Sequence, residues 1–284
     1  MPFIASNGLT EADTSKTIAA GGMTVHYHDV GSGQPVLFLH SYGPGTTAWI
    51  TFYKAVGVLS QHFRCILMDM PNFSKTGPIV YQEGVHALQA RTAVALLDAL
   101  GIERAKWVGN SQGGQSAMVA AINHAERVEK FVMGGSHIGT GGDRYLMANR
   151  PSEGSRATRD AIDDPSRENI RRYLRVHIDD ENLVTDELVD YIHHAYTWSP
   201  ELMAARSKSV SVPHDYTPEL AGIQAPVLLI HGRYDRMVAF EISIAILNHV
   251  ADSRVVLLNN CGHWAPFEKP AEWTAHVLTF LRGY

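Results

Sequence analysis

Cysteine is scarce in this chain. The two present, Cys65 and Cys261, fall in an apolar run and in a loop pattern, which is not the disulfide framework of a small secreted domain, so a reducing cytoplasm is the expected setting. Long apolar runs are also missing: no stretch reaches the roughly eighteen residues a membrane helix needs. The first twenty residues are polar and small, without the basic start and apolar core of a secretory leader. They predict a soluble, untargeted chain with a poorly ordered start.

Charge of one sign is not in excess either. Lys and Arg number 24 against 29 Asp and Glu, a net charge of −5, so neither nucleic acid nor an anionic membrane surface is an expected partner. No H-E-x-x-H pattern and no paired cysteines suggest zinc, and the 15 histidines are expected to be spread over surface and structure. Neither a metal nor a cofactor is implied. Internal repeats and low-complexity segments are absent. A length of 284 residues suits one large α/β domain with an insertion better than two ordinary domains.

What the chain does contain is alternation. Met23 to Asp29 alternates as a half-buried strand, and Val36 to Leu39, after the turn residues Gly31 to Pro35, is a second strand expected to pair with it. Helical spacing follows over Trp49 to Leu59, then the apolar run Cys65 to Met68, a helix over Gly84 to Leu100, and strands at Ala105 to Trp107 and Val128 to Met133. Strand, helix, strand in that order predicts a parallel sheet. Between Asp143 and Asp190 the density of charged residues is roughly twice the chain average, and the patterns are helical without strand runs. Asn169 to His177 and Thr185 to Tyr196 are predicted helices, and Pro151, Pro165, Pro200 and Pro213 punctuate turns. Residues 139–213 are therefore expected to form a helical lid on a core made of 1–138 and 214–284. Strands resume at Val227 to Ile230 and Val255 to Leu258, with helices over Phe240 to Leu247 and Ala271 to Leu281.

One short stretch organises the chemistry. Gly109-Asn110-Ser111-Gln112-Gly113 follows a predicted strand and opens a helix expected over Gln115 to His124, the context in which G-x-S-x-G lifts a serine onto a sharp turn. Ser111 is the candidate nucleophile. It needs a base and oxyanion donors, and loops at the carboxyl ends of parallel strands share one crevice where these can meet. Four such loops hold Tyr42, Ser111, Asp235 and His263. Ser, then Asp, then His is the chain order of an α/β-hydrolase. His263 would take and return the serine proton, Asp235 would hold its tautomer, and the backbone N–H groups of Tyr42 and Gln112 would stabilise the oxyanion. His40 is expected to pack and hydrogen-bond, Asp69 is the alternative acid, and Trp264 either walls the substrate pocket or packs on the sheet.

Taken together, His40-Ser41-Tyr42-Gly43-Pro44-Gly45 with Trp49, the Ser111 stretch, Gly232-Arg233-Tyr234-Asp235-Arg236 and Cys261-Gly262-His263-Trp264 resemble the meta-cleavage product hydrolases. That family cleaves a C–C bond in vinylogous 1,5-diketone acids formed during aromatic degradation. The resemblance implies an α/β-hydrolase fold, a small-molecule substrate, and substrate contacts at Ser41, Gly43, Asn110, His193 and Trp264. It leaves room for a homo-oligomer without choosing its size. It also implies an arginine on a lid helix, yet Ile192, His193 and His194 stand there; Arg171, Arg172, Arg175 or Arg206 could substitute, but they read more simply as solvated lid charges. Ser41 and Tyr42 stand where glycines are usual, Thr51 replaces an asparagine and Asn72 a glycine. A carboxylesterase for aromatic or bulky esters would not need the missing arginine and is the second expectation. A binding protein that has lost turnover is the third.

Overall fold

A computed structural model describes residues 3–138 and 151–283. The first twelve residues of the expected lid, 139–150, lie outside the described residues. Eight strands form one sheet: β1 (Ser15–Ala20), β2 (Met23–Val30), β3 (Pro35–Leu39), β4 (Arg64–Met68), β5 (Ala105–Asn110), β6 (Val128–Gly134), β7 (Val227–Gly232) and β8 (Ser253–Leu258). Their order is β1-β2-β4-β3-β5-β6-β7-β8. β1 pairs antiparallel with β2 and β2 with β4; every later pairing is parallel.

Alternation along the strands builds two apolar layers, because successive side chains point to opposite faces. Leu37, Leu39, Ile66, Met68 and Trp107 join the layer beneath helices α2 (Val85–Ala99) and α3 (Gln112–Asn123). Val36, Phe38, Cys65, Leu67 and Val108 join the opposite layer, covered by α1 (Ala48–Leu59) and the last helix (Pro270–Arg282) through Trp49, Phe52, Trp273 and Val277. β5 and β7 are buried along their whole length, as strands covered on both faces must be.

Between β6 and β7 the described residues form four more α-helices, α4 (Glu153–Asp163), α5 (Arg167–His177), α6 (Asp186–Thr197) and α7 (Pro200–Lys208). Each opens on a Ser or Thr whose side chain accepts a backbone N–H from the first turn, at Ser152, Ser166, Thr185 and Ser199. A third apolar cluster joins Tyr173, Leu174, Leu188 and Ile192 to Ile50, Trp264 and Phe267 of the core.

Four expectations are corrected. The amino-terminal region is ordered: Ser15–Ala20 is a strand, hidden from a pattern search because it lies on the sheet edge and keeps half its side chains in water. Strands β2 and β3 do not pair, since β4 lies between them; β3 is apolar on both faces and takes a central place between β4 and β5. The segment expected to lack strands contributes Val210–Ser211, paired with Gln82–Glu83. Finally, the helix after Ser111 starts at Gln112 rather than Gln115, because the turn geometry, not glycine's weak helix propensity, decides its first residue.

Candidate active site

Ser111 is the only residue between β5 and α3, and it adopts φ 54° and ψ −120°. A side-chain-bearing residue at positive φ costs about 1–3 kcal/mol and persists only where its surroundings hold it. Here they do: Ser111 N–H donates to the Gly134 carbonyl at 2.6 Å, and its own carbonyl accepts Gln115 N–H at 3.1 Å and the Ser136 hydroxyl at 2.8 Å. A Cβ on Gly109 would strike the backbone of Gly113 and Gly114, and one on Gly113 would strike the Leu39 carbonyl. The two glycines thus let α3 press directly on the ends of β3 and β5.

Asp235 and His263 meet beside this elbow. His263 Nδ1 donates to Asp235 Oδ2 at 2.7 Å, and both side chains are about 1% exposed. The second carboxylate oxygen accepts N–H from Met237 at 2.7 Å and Val238 at 2.9 Å, and His231 Nε2 donates to Oδ2 at 3.0 Å. Burial works to raise the Asp235 pKa, but His263 and His231 together drive it far below the ordinary carboxylate range, so the group is an anion. Asn110, one residue before Ser111, donates to the His263 carbonyl at 3.2 Å and to Ser41 Oγ at 2.8 Å. Gly135, one residue after the Gly134 carbonyl that Ser111 bonds, could not carry a Cβ without lying 3.0 Å from His263 Nδ1.

Three supporting groups escaped the sequence pattern. His231, the next-to-last residue of β7, also reaches Ser243 Oγ at 2.8 Å. Glu268 accepts backbone N–H groups from Gly262, Trp264 and Asp179, clamping the loop that carries His263. His177 accepts His263 N–H on its carbonyl at 2.7 Å, and the two rings stand edge to face at 5.3 Å. Burial first, and His263 second, push the His177 pKa down to about 3. A strand-ending histidine was visible at 231, but nothing in its local spacing tied it to Asp235's carboxylate.

Gln112 N–H is the first of α3 and so has no acceptor within the helix. The loop holding Tyr42 follows β3, against which that helix start is packed. Gly43 is required there, since its φ is 149° and a Cβ would run into the Tyr173 hydroxyl. That hydroxyl is buried without a hydrogen-bond partner among the described residues.

His40 Nε2 accepts Met70 N–H at 3.0 Å and its Nδ1 donates to the Ser41 carbonyl at 2.8 Å, which places it in the framework. Asp69 is bound to His26 Nδ1 at 2.6 Å and to Ala48 N–H at 2.7 Å, and holds no bond to His263. Trp264 is fully buried against Tyr173 and Phe267. His193 is half-buried on α6, its carbonyl accepting the Thr197 hydroxyl. Ile192 is buried, and its backbone packs where a Gly45 side chain would stand, so no cation occupies that spot. Among the described residues, His26, His28 and Asp69 are the group that could approach one metal ion. His26 and His28 also bond Ser15 and Thr14, and Asp69 accepts Ala48 N–H, while His28 Nε2 is buried without a partner among the described residues. An open cleft of about 1010 Å³, lined by Phe3, Glu11, Lys75, Tyr191 and Trp198, contains none of Ser111, Asp235 or His263; polar convergence rather than volume locates this site. No described helix is long and apolar enough to cross a membrane.

Comparison with known proteins agrees with the geometry. The family described as "alpha/beta hydrolase fold" matches residues 34–270. The 2-hydroxy-6-oxo-6-phenylhexa-2,4-dienoate hydrolase of Comamonas testosteroni is 34% identical, over 96% of this chain and 98% of its own. A 2-hydroxy-6-oxononadienedioate/2-hydroxy-6-oxononatrienedioate hydrolase of Paraburkholderia phymatum is 35% identical, over 96% and 97%. The solved meta-cleavage product hydrolase of Pseudomonas fluorescens superposes with a TM-score of 0.82 at 28% identity, covering 95% of this chain and 98% of that one. The chain belongs to the α/β-hydrolase fold family, and within it to the meta-cleavage product hydrolases.

Proposed function

We propose that this protein hydrolyses a C–C bond in a 2-hydroxy-6-oxo-dienoate, the substrate class in the names of its near full-length relatives. Ser111 is the nucleophile, His263 the general base and acid, and Asp235 the group that fixes the imidazole. The observation that carries this assignment is the 2.7 Å bond from His263 Nδ1 to an ionised Asp235. With Nδ1–H committed, the lone pair of neutral His263 sits on Nε2, the atom that must take the serine proton.

The substrate first passes to its keto tautomer, which creates an electron sink. Ser111 Oγ then adds to the C6 carbonyl while its proton moves to His263, and the N–H groups of Tyr42 and Gln112 receive the oxyanion. Collapse breaks C5–C6, and the electron pair leaves as a dienolate that His263 protonates. Water, deprotonated by His263, cleaves the acyl-serine, so one dienoate and one water become a 2-hydroxy-dienoate and a second carboxylic acid. Ser41, Gly43, Asn110, His193 and Trp264 are assigned to substrate contact. The described residues of the insertion, 151–213, act as the lid, and the buried thiols of Cys65 and Cys261 suit a reducing cytoplasm.

One observation favours a second reading: Ile192 is buried where a substrate-binding arginine is expected, and an esterase would not need that cation. The test is bleaching of a yellow ring-fission product generated by a dioxygenase. Rapid loss of colour that disappears in S111A supports C–C hydrolysis. Fast turnover of simple esters with no bleaching replaces it with the esterase.

A further inference from the structure

Arg206, on α7, has no task in the mechanism above, yet its environment is unusual for a cation. Its guanidinium carbon lies 4.5 Å from the Tyr196 ring centroid and 5.8 Å from that of Phe73. Its Nη2 donates to the Tyr196 carbonyl at 3.3 Å, while Nε is buried with no hydrogen-bond partner among the described residues. Phe73 in turn stands 6.1 Å, edge to face, from Tyr42, and Tyr42 interacts electrostatically with Arg206 itself. The guanidinium therefore sits in an aromatic corner beside the loop assigned to the oxyanion.

Three other arginines of the insertion already face carboxylates. Arg171 bonds Asp186, Arg172 bonds Asp160 at 2.6 Å, and Arg175 approaches Glu181 at 3.7 Å. No carboxylate among the described residues pairs with Arg206. Burial lowers its pKa, but a guanidinium does not lose its proton in a protein. A partly desolvated cation with an orphaned donor is costly until an anion supplies the missing acceptor.

We propose that Arg206 binds the carboxylate of the substrate, supplying from α7 the cation that Ile192 cannot supply from α6. This rests on the dienoate reading, because a neutral ester brings no such anion. The edge formed by Nε and a terminal nitrogen matches the two oxygens of a carboxylate. Phe73 and Tyr196 hold the guanidinium plane and keep water from it, which strengthens the pair.

The test uses R206Q and R206K, in the wild-type and S111A backgrounds. Binding of the yellow dienoate to S111A, followed by its visible absorption, is the readout that needs no turnover. R206Q is expected to weaken it about 10- to 100-fold, the loss of one charge-assisted hydrogen-bonded pair. The ratio of dienoate to p-nitrophenyl acetate kcat/KM is expected to fall by the same factor, chiefly through KM, with R206K recovering part. R206M, which keeps the alkyl stem on the aromatic rings, replaces R206Q if that variant does not fold. Unchanged binding and ratio overturn the anchor while bleaching by the wild type keeps C–C hydrolysis. Arg206-dependent binding without bleaching keeps the anchor and overturns C–C hydrolysis. Absence of both removes both.

Discussion

His231 and His263 donate to the same oxygen of Asp235, from 3.0 and 2.7 Å. One histidine comes from the end of β7 and the other from the loop after β8, so the carboxylate is held by its own strand while it holds its partner's. The two backbone N–H groups of Met237 and Val238 occupy the other oxygen, leaving the carboxylate one orientation. Such preorganisation is what a general base needs, since the imidazolium that forms must find its counter-charge already in place.

Replacing either donor or acceptor separates orientation from charge. D235N is expected to lower kcat about 10³- to 10⁴-fold, because the amide favours the wrong imidazole tautomer. H231Q removes one charge-assisted bond and is expected to cost about tenfold in kcat with KM little changed. Steady-state kinetics on a dienoate checks both, and an H231Q enzyme as slow as D235N would contradict the positioning role of His231.

Glu268 holds the His263 loop through backbone N–H groups alone. E268A leaves those donors buried and unpaired, so a loss of about 1–3 kcal/mol of stability is expected. Urea unfolding measures it. Because Gly262 and Trp264 flank His263, kcat should fall together with stability, and a stable but slow variant would show that the loop moved without unfolding.

Acid sensitivity follows from His177, which is 1% exposed. Its pKa is near 6.5 in the unfolded chain and is pushed down to about 3 in the fold by burial and by His263. Above about pH 6.5 the residue is neutral in both states and adds no pH dependence. Between pH 6.5 and 3 the unfolded chain binds a proton that the folded chain refuses, so stability falls as pH falls, by about 1.4 kcal/mol per unit. Urea unfolding at pH 7 and pH 5 should show the wild type losing about 2 kcal/mol more than H177Q. Equal losses would mean that His177 takes up a proton in the folded protein.

The apolar runs within β3, β4 and β7 are buried on both faces; a covered stretch has few polar positions to blur its pattern, although the apolar run of β8 shows that such a run can also lie on a half-exposed strand. Ser15–Ala20 escaped because an edge strand looks like ordinary polar chain until its neighbour is known. Pro200 was legible as punctuation, yet it occupies the first turn of α7, where its missing N–H costs nothing. The arginines of the insertion looked alike as charges along the chain. Arg167, Arg171, Arg172 and Arg175 meet carboxylates and Arg206 meets aromatic rings, a distinction made by how α6, α7 and the loop after β4 come together.

From the sequence alone came the strand-turn-helix around Ser111 and the positions of Asp235 and His263 after their own strands, because each depends on a few neighbouring residues and on the period of the strand before it. Only the tertiary structure decided which oxygen of Asp235 serves His263, that His231 shares it, that Glu268 clamps the loop, and that Arg206 lies beside Tyr42 with no carboxylate partner among the described residues. Those are meetings between groups remote in the chain, and their partners are chosen by sheet order and helix packing, which no local pattern of residues contains.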